Sequence, residues 1–462
     1  MRPELRLAAE LADTFLDSLG ERGVSPSVSY DDLVAALERP LGEAGEEPEA
    51  VVAELARTLE PGLVGTQTGR YYGFVIGSSL PAALAADWLA SAWDQNAFSV
   101  VLSPAAAATE AVAGRMLADL LGLPAGVSFG FVTGAQGANT TALAAARTHV
   151  LAAAGWDVGV NGLNGAPPVR VVVGAHRHVT IMRSLRLLGF GDRSVVSAGA
   201  DEQGRMRPDA LREALVGWDG PAIVCAQAGS VNSGAVDPLA ELADACEAHG
   251  AWLHVDGAFG LWAAASPARR QLVAGHERAD SWATDAHKWL NVPYDCGVVF
   301  CAHPDAHAAS MAVAAGYLQR EEGRSGSDWV PESSRRARGL PVYAALRQLG
   351  RSGVEELVER CCGHARRFAE LLGAVDGVEI LNDLVLNQAL VRFGGDDELT
   401  REVVARVQAD GTCWLGGTDW NGVTAMRISV SSWRTTDADV ERSVAAILAA
   451  WAAVAAQPAR TT

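Results

Sequence analysis

Between about residue 66 and residue 310, short β-rich runs alternate with helical segments. That alternation confines the chain to a mostly parallel sheet with helices on both faces. The clearest runs are Val169–Val173, Ser194–Val196, Ile223–Ala226, Trp252–Val255 and Val298–Phe300. Pro208–Trp218 and Pro238–His249 read as helices, each with proline in its first turn. Such sheets gather their ligands at the carboxyl ends of the strands. The residues that directly follow the apolar runs are therefore the candidates for chemistry.

Composition supplies a second constraint, because the chain has a single lysine. Lys+Arg number 37 in 462 residues, and every one except Lys288 is arginine. Arginine replaces lysine in surface ion pairs, but its guanidinium stays protonated and cannot act as an amine nucleophile. A lysine amine can lose its proton when desolvated and condense with an aldehyde. Lys288 sits in Ser281-Trp-Ala-Thr-Asp-Ala-His-Lys-Trp-Leu-Asn291, directly after His287. The alternative is a leftover surface lysine in an arginine-biased chain, but composition and local context both favour a covalent role.

Trp252–Val255 reads as a buried strand with Asp256 at its carboxyl end, followed by Gly257 and Ala258. A carboxylate there can keep the ring nitrogen of pyridoxal 5'-phosphate (PLP) protonated, so that the ring acts as an electron sink. The bland reading is a helix cap. Asp256 and Lys288, about thirty residues apart, leave room for a helix and a further strand between them. The pair is stronger evidence than either residue alone.

Val127–Thr133 reads as a strand entering Gly134-Ala-Gln-Gly-Ala-Asn-Thr140 and then an alanine-rich helix to about Ala154. A glycine-rich turn opening a helix offers free N–H groups and a positive dipole end to a phosphate. This signal is weak by itself. It is not a Walker loop, because no Gly-Lys-Ser/Thr follows, and it lacks dinucleotide spacing. His178, just past Val169–Val173, is placed where an imidazole could stack on a planar ring, although a histidine at a strand end is often structural.

Apolar residues make up 49% of the chain and charged residues 20%, as in an ordinary folded protein. The formal charge of −18 argues against nucleic acid or an anionic membrane as partner. It also requires any anionic cofactor to meet a locally positive site. Seven cysteines occur without CxxC or zinc-ligand spacing, which suits reduced thiols in a cytoplasmic protein. The adjacent Cys361 and Cys362 read as helix packing. The N-terminus has no uninterrupted apolar stretch of signal-peptide type, and Val444–Ala456 is too short to span a membrane.

Residues 1–65 read as a helical arm broken by Pro26, Pro40 and the acidic Gly42–Glu49 segment, too small for a core of its own. Residues 66–340 form the expected large domain. Residues 341–462 form a smaller α+β domain with strands at Val378–Leu381, Ala389–Phe393 and Ala425–Val430 and a last helix from Asp437. The polar stretch Gln319–Asp328 is a candidate mobile loop.

Taken in order, several blocks resemble the group II PLP-dependent amino-acid decarboxylases, the aromatic amino-acid and glutamate decarboxylase family of PLP fold type I. They are Tyr72-Gly-Phe-Val-Ile-Gly-Ser-Ser-Leu-Pro81, Leu102-Ser-Pro with Thr109-Glu110, the Gly134–Asn139 turn and His178. Ala228-Gly-Ser with Gly234–Asp237, His254-Val-Asp-Gly-Ala258, Asp285-Ala-His-Lys-Trp289 and Met426-Arg-Ile-Ser-Val430 follow. The likeness covers nearly the whole chain.

The resemblance implies a Schiff base at Lys288, Asp256 on the pyridine nitrogen, His178 stacked on the ring and Ala258 beneath it. Ala135 and Gln136, with His287, would hold the phosphate. Arg427 matches an arginine kept near the substrate carboxylate, with a structural salt bridge as the alternative reading. Tyr72 and Ser78 are candidate substrate contacts, with Tyr71 and Trp93 as further pocket positions. The family implies a homodimer whose N-terminal arm wraps the partner.

Two departures from the family pattern bear on the chemistry. Gln136 and Gly137 stand where relatives often carry Ser or Thr and Glu, and Asp285 replaces a frequent Asn. A carboxylate beside a phosphate is costly unless it is paired or points away. Such decarboxylases also carry a loop tyrosine that returns a proton after carbon dioxide leaves, yet no Tyr or His occurs between Leu318 and Val342. Either Lys288 returns the proton, or the reaction ends differently, since relatives lacking that acid can react with oxygen and release an aldehyde. Decarboxylation of an amino acid to the amine is the leading expectation. Oxidative deamination to an aldehyde, an aldolase or lyase step, and a non-catalytic partner protein are the alternatives. The side-chain specificity is not readable.

Overall fold

The computed structural model describes residues 2–312 and 323–456. These divide into two compact units. The larger spans Gly77–Arg366 with Asn382–Ala389; the smaller takes the chain up to Ile76, Arg367–Leu381 and the chain from Leu390 on. Residues 1–65 lie in the smaller unit, whereas residues 341–462 are divided: 341–366 and 382–389 belong to the larger unit and the rest to the smaller. The part of the polar stretch up to residue 322 lies outside the described residues. From Gly323 onward the backbone is anchored: Ser327 N–H donates to Phe98 O, and the Arg324 guanidinium lies over the Phe129 ring.

The larger unit is built on seven strands. They are β1 (Ser128–Val132), β2 (Arg170–Gly174), β3 (Val195–Ala198), β4 (Ala222–Gln227), β5 (Trp252–Asp256), β6 (Ser281–Asp285) and β7 (Gly297–Cys301). Their spatial order is β1-β7-β6-β5-β4-β2-β3. All neighbours are parallel except those of β7, which runs antiparallel to both β1 and β6. The mostly parallel expectation therefore holds. β1, β4, β5, β6 and β7 are buried along their whole length, and β4, β5 and β7 read as near-continuous apolar runs on that account.

Alternate residues share a face: Val171 and Val173, Ile223 and Cys225, and Trp252 join Leu143, Val150 and Leu151 of the helix Ala135–Ala153 in one core cluster. Val172 and Val224, on the other face, are equally buried.

The smaller unit contains most of a four-stranded antiparallel sheet in the order β10-β11-β9-β8, with β8 at Val378–Ile380, β9 at Gln388–Phe393, β10 at Gly416–Trp420 and β11 at Val423–Ser429. All seven cysteines are free and buried. Among the described residues no helix is long and apolar enough to cross a membrane.

One buried histidine gives the larger unit a measurable acid sensitivity. His307 is sealed in the core, with Nδ1 at 2.9 Å from Ser128 Oγ and Nε2 at 2.9 Å from Trp329 O. Burial pushes its pKa down from 6.5 to about 4. Below pH 6.5 the unfolded chain takes a proton there and the folded chain does not, so stability falls as pH falls through that window. His307→Gln is expected to remove this dependence. The difference between wild-type and variant unfolding free energies should change by about 1.4 kcal/mol per pH unit between 6.5 and 4, measured by urea denaturation across the range.

Candidate active site

Strand order assembles the site along one sheet edge. β5 and β6 are parallel neighbours, with Asp256 opposite Ala283, so Asp256 and Asp285 stand at adjacent carboxyl ends. The amino end of β7 fills the gap between β6 and β1: Gly297 is opposite both Asp285 and Val132. A Cβ at Gly297 would lie 2.4 Å from the Gly134 carbonyl carbon, so only glycine lets the turn after β1 come this close. Ala135 N–H consequently reaches Asp285 Oδ1 at 2.6 Å.

Lys288 follows β6 by one tight turn. Its Nζ is 2.9 Å from Asp285 Oδ2, and a fifth of its side chain is exposed. Gly77 lies against the lysine backbone, where a Cβ would come within 1.9 Å of Lys288 O. Asn291, in the left-handed region at φ 55, accepts Ser78 N–H on its side chain and Leu80 N–H on its carbonyl. The 77–80 strap and the lysine turn are thereby tied together.

Asp285 is thus the paired carboxylate that the sequence argument required. It is almost fully buried and receives the first N–H of the helix Ala135–Ala153, the lysine ammonium, and His287 Nε2 at 3.4 Å. His287 Nδ1 accepts Cys296 N–H at 3.1 Å, which leaves the proton of the neutral ring on Nε2, facing Asp285. Burial pushes the pKa of His287 down, with Asp285 opposing.

Asp256 is fully enclosed among polar partners. Oδ1 accepts Ala258 N–H at 3.2 Å and Oδ2 accepts Asn139 Nδ2–H at 3.1 Å. Burial raises its pKa above 3.8, while the charges of His178 and then Lys288 pull it down. The carboxylate at the end of β5 and the lysine after β6 therefore share one electrostatic neighbourhood.

His178 caps the helix Val179–Leu187. Its Nδ1 accepts Thr180 N–H at 3.4 Å and lies 2.8 Å from Thr180 Oγ1, and its own N–H donates to Gln227 Oε1 at the end of β4.

The residues present fit a phosphate at the start of the helix Ala135–Ala153. Among the described residues the N–H groups of Gln136 and Gly137 have no acceptor, beside the Ala135 N–H that Asp285 takes. The Gln136 side chain itself turns away: its Nε2 donates to Ser184 Oγ at 2.8 Å and to Thr180 O at 3.3 Å. At this position the backbone, not the side chain, is available to an anion.

Of the expected substrate contacts, Ser78 is in this unit and nearly buried. Tyr72 and Arg427 belong to the smaller unit. Tyr72 is a correction: it is sealed in the core there, edge-on to Phe368 with its hydroxyl 3.1 Å from Ser443 Oγ, so it packs rather than lines a pocket. Arg427 lies on β11 opposite Gly416, and burial lowers its pKa.

The sequence reading gave no role to Asn139, His254, Gln227 or Asn291. The available signal was local: each lies within two residues of a motif or inside one.

Comparison with known proteins agrees with this geometry. The profile of the pyridoxal-dependent decarboxylase conserved domain matches residues 31–393. The 4-hydroxyphenylacetaldehyde synthase of Rhodiola rosea is 29% identical over 462 residues, covering 95% of this chain and 92% of the relative. The L-2,4-diaminobutyrate decarboxylase of Rhizobium meliloti is 31% identical over 424 residues, 88% of this chain and 83% of the relative. Among solved structures, that of Oryza sativa TDC with PLP and tryptamine superposes with a TM-score of 0.91 at 26% identity, covering 98% of this chain and 97% of that one.

Proposed function

Since the chain belongs to the pyridoxal-dependent decarboxylase family, we propose that it removes the carboxyl group of an L-amino acid, yielding the amine and carbon dioxide. PLP in such a site supplies an electron sink for the bond broken at the α-carbon. In this reading the Lys288 amine holds the cofactor's aldehyde carbon, and Asp256 carries the charge opposite the ring nitrogen. His178 and Ala258 would hold the ring. Gln136 and Gly137, through their free N–H groups at the helix N-terminus, would hold the phosphate, with Ala135 and His287 beside it. Asp285 keeps Lys288 Nζ aimed, and that amine is the group available to move a proton. Ser78 is the proposed substrate contact within the larger unit.

The observation that carries the proposal is the joint placement of Asp256 and Lys288 at neighbouring strand ends, with the lysine charge acting on the carboxylate.

A second reading has its own support. Residues 323–342 carry no Tyr or His, and the Rhodiola rosea relative is named for aldehyde synthesis. Tyr343 is committed to the helix that begins at Gly339 and breaks at Gly350, where its hydroxyl accepts from Arg347, and Tyr317 lies outside the described residues. Under this reading the product is an aldehyde, formed with oxygen consumption and release of ammonia and peroxide. An amino-acid panel assayed for carbon dioxide, amine, aldehyde and peroxide separates the two. Amine equal to carbon dioxide, without peroxide, is the expected result. Stoichiometric aldehyde and peroxide would replace it with the second reading.

We also propose a homodimer in the cytoplasm. Trp88, Leu89 and Trp93 are exposed on the helix Pro81–Trp93, beside an apolar groove of about 220 Å³ that Leu340 and Tyr343 complete. An apolar face of this kind suits burial against a second copy, and seven free thiols suit a reducing compartment.

A further inference from the structure

Asp256 is the end of a buried chain of hydrogen bonds that crosses from β6 to β5 to the helix Ala135–Ala153. Trp252, His254 and Asp256 alternate along β5 and so share one face. Ser281, the first residue of β6, lies directly opposite His254. Trp252 Nε1–H donates to Ser281 Oγ at 2.9 Å, and Ser281 Oγ is 3.0 Å from His254 Nδ1. His254 Nε2 is 2.9 Å from Asn139 Oδ1, and Asn139 Nδ2–H donates to Asp256 Oδ2 at 3.1 Å. His254, Asn139 and Ser281 are completely buried.

The chemistry of each group gives this chain a direction. An ionised carboxylate only accepts, so Asp256 requires the amide N–H side of Asn139. Asn139 then presents its carbonyl oxygen to His254 Nε2, which must carry a proton. Burial holds the His254 pKa down at about 3, so the ring has one proton, and Nδ1 is left to accept the Ser281 hydroxyl. Ser281 in turn accepts the indole N–H, a group that can only donate. Every donor meets one acceptor. The reverse polarity would aim the Asn139 carbonyl at Asp256 and demands a protonated carboxyl there.

We propose that His254, as the neutral Nε2–H tautomer, and Asn139 are positioning residues that keep Asp256 ionised and aimed at the cofactor's ring nitrogen. The inference rests on the PLP reading above and deepens it. Neither side chain touches the cofactor; both act through the carboxylate. Removing either should weaken cofactor binding about tenfold, the size of one buried hydrogen bond to a charged group. Because the two act in series, removing both should cost little more than removing one.

Two measurements test this. ¹⁵N NMR of histidine-labelled, cofactor-loaded wild-type protein should show His254 with its proton on Nε2; a proton on Nδ1, or on both nitrogens, overturns the proposal. PLP titration of apo His254→Phe, Asn139→Leu and the double variant, followed by absorbance, should give losses of about tenfold, tenfold and tenfold. Unchanged affinity, or losses that multiply, overturns it as well. The wild-type NMR experiment stands even if a variant does not fold. A wild-type protein that binds no PLP would instead defeat the functional reading itself.

Discussion

A Lys288→Ala variant is expected to lose turnover by about four orders of magnitude or more, about 5.5 kcal/mol in transition-state terms. Its bound PLP should also lose the visible absorption of the lysine-linked form. The size follows from composition as much as from geometry. No other side chain offers a primary amine, and 36 arginines cannot replace one. The amine is held at 2.9 Å from Asp285 by a turn that Asn291 and Gly77 brace from two sides, so its loss removes a preorganised group. Lys288→Arg should be no better than alanine, because charge without nucleophilicity retains the Asp285 contact and nothing else. Stopped-flow absorbance and product assays on both variants check this. Folding should survive, since Ala135 N–H and His287 still accompany the Asp285 carboxylate. A fully active alanine variant would remove Lys288 from the chemistry.

The parts of this arrangement that could be read from the residues are those where one physical demand dominates. Strands β2, β4, β5 and β7 are apolar runs because both of their faces are covered, and they were legible on that account. β6 was harder. Ser-Trp-Ala-Thr-Asp reads as polar, yet all five residues are buried, and its serine and aspartate are satisfied by Trp252, His254 and Ala135. Polar residues that pair across strands leave no periodicity to find. β10 was overlooked for another reason. Its signal was the Asn421-Gly422 turn, both residues in the left-handed region at φ 52 and φ 82, which marks a two-residue hairpin into β11.

Asp256 was visible from its place at the end of an apolar run, and Lys288 from being the chain's single lysine. Tyr72 was misassigned because a motif gives a residue's neighbours in the chain and not its burial. The hydroxyl partner of Tyr72, Ser443, lies 371 positions away in the sequence. Asn139 and His254 escaped notice because each needs the other to have a function, and 115 residues separate them.

Asp256→Asn should separate stability from function. Burial raises the pKa of this carboxyl, so at neutral pH the ionised group carries a desolvation cost in the empty site. The sign is set by linkage. A carboxyl raised in the folded state contributes stability below its ordinary value of 3.8 and loses that contribution as pH rises through the folded value. Replacing it with a neutral amide of the same shape should leave the apo protein equally or more heat-stable at pH 7.

Catalysis should move the other way. An amide cannot hold a proton on the facing ring nitrogen, and loss of one preorganised electrostatic partner costs about 10²- to 10³-fold in kcat, about 2.7–4 kcal/mol. The new side chain also has to reconcile two donors, Ala258 N–H and Asn139 Nδ2–H, with a single acceptor oxygen. The matching solution is for the Asn139 amide to rotate and accept from the new amide. That rotation turns the Asn139 N–H toward His254 and moves the histidine proton to Nδ1, facing Ser281 Oγ. Calorimetry of the apo variant, steady-state kinetics and the ¹⁵N tautomer of His254 together check the chain of cause. A variant that loses activity while His254 keeps its Nε2–H would show that Asp256 acts without the chain behind it.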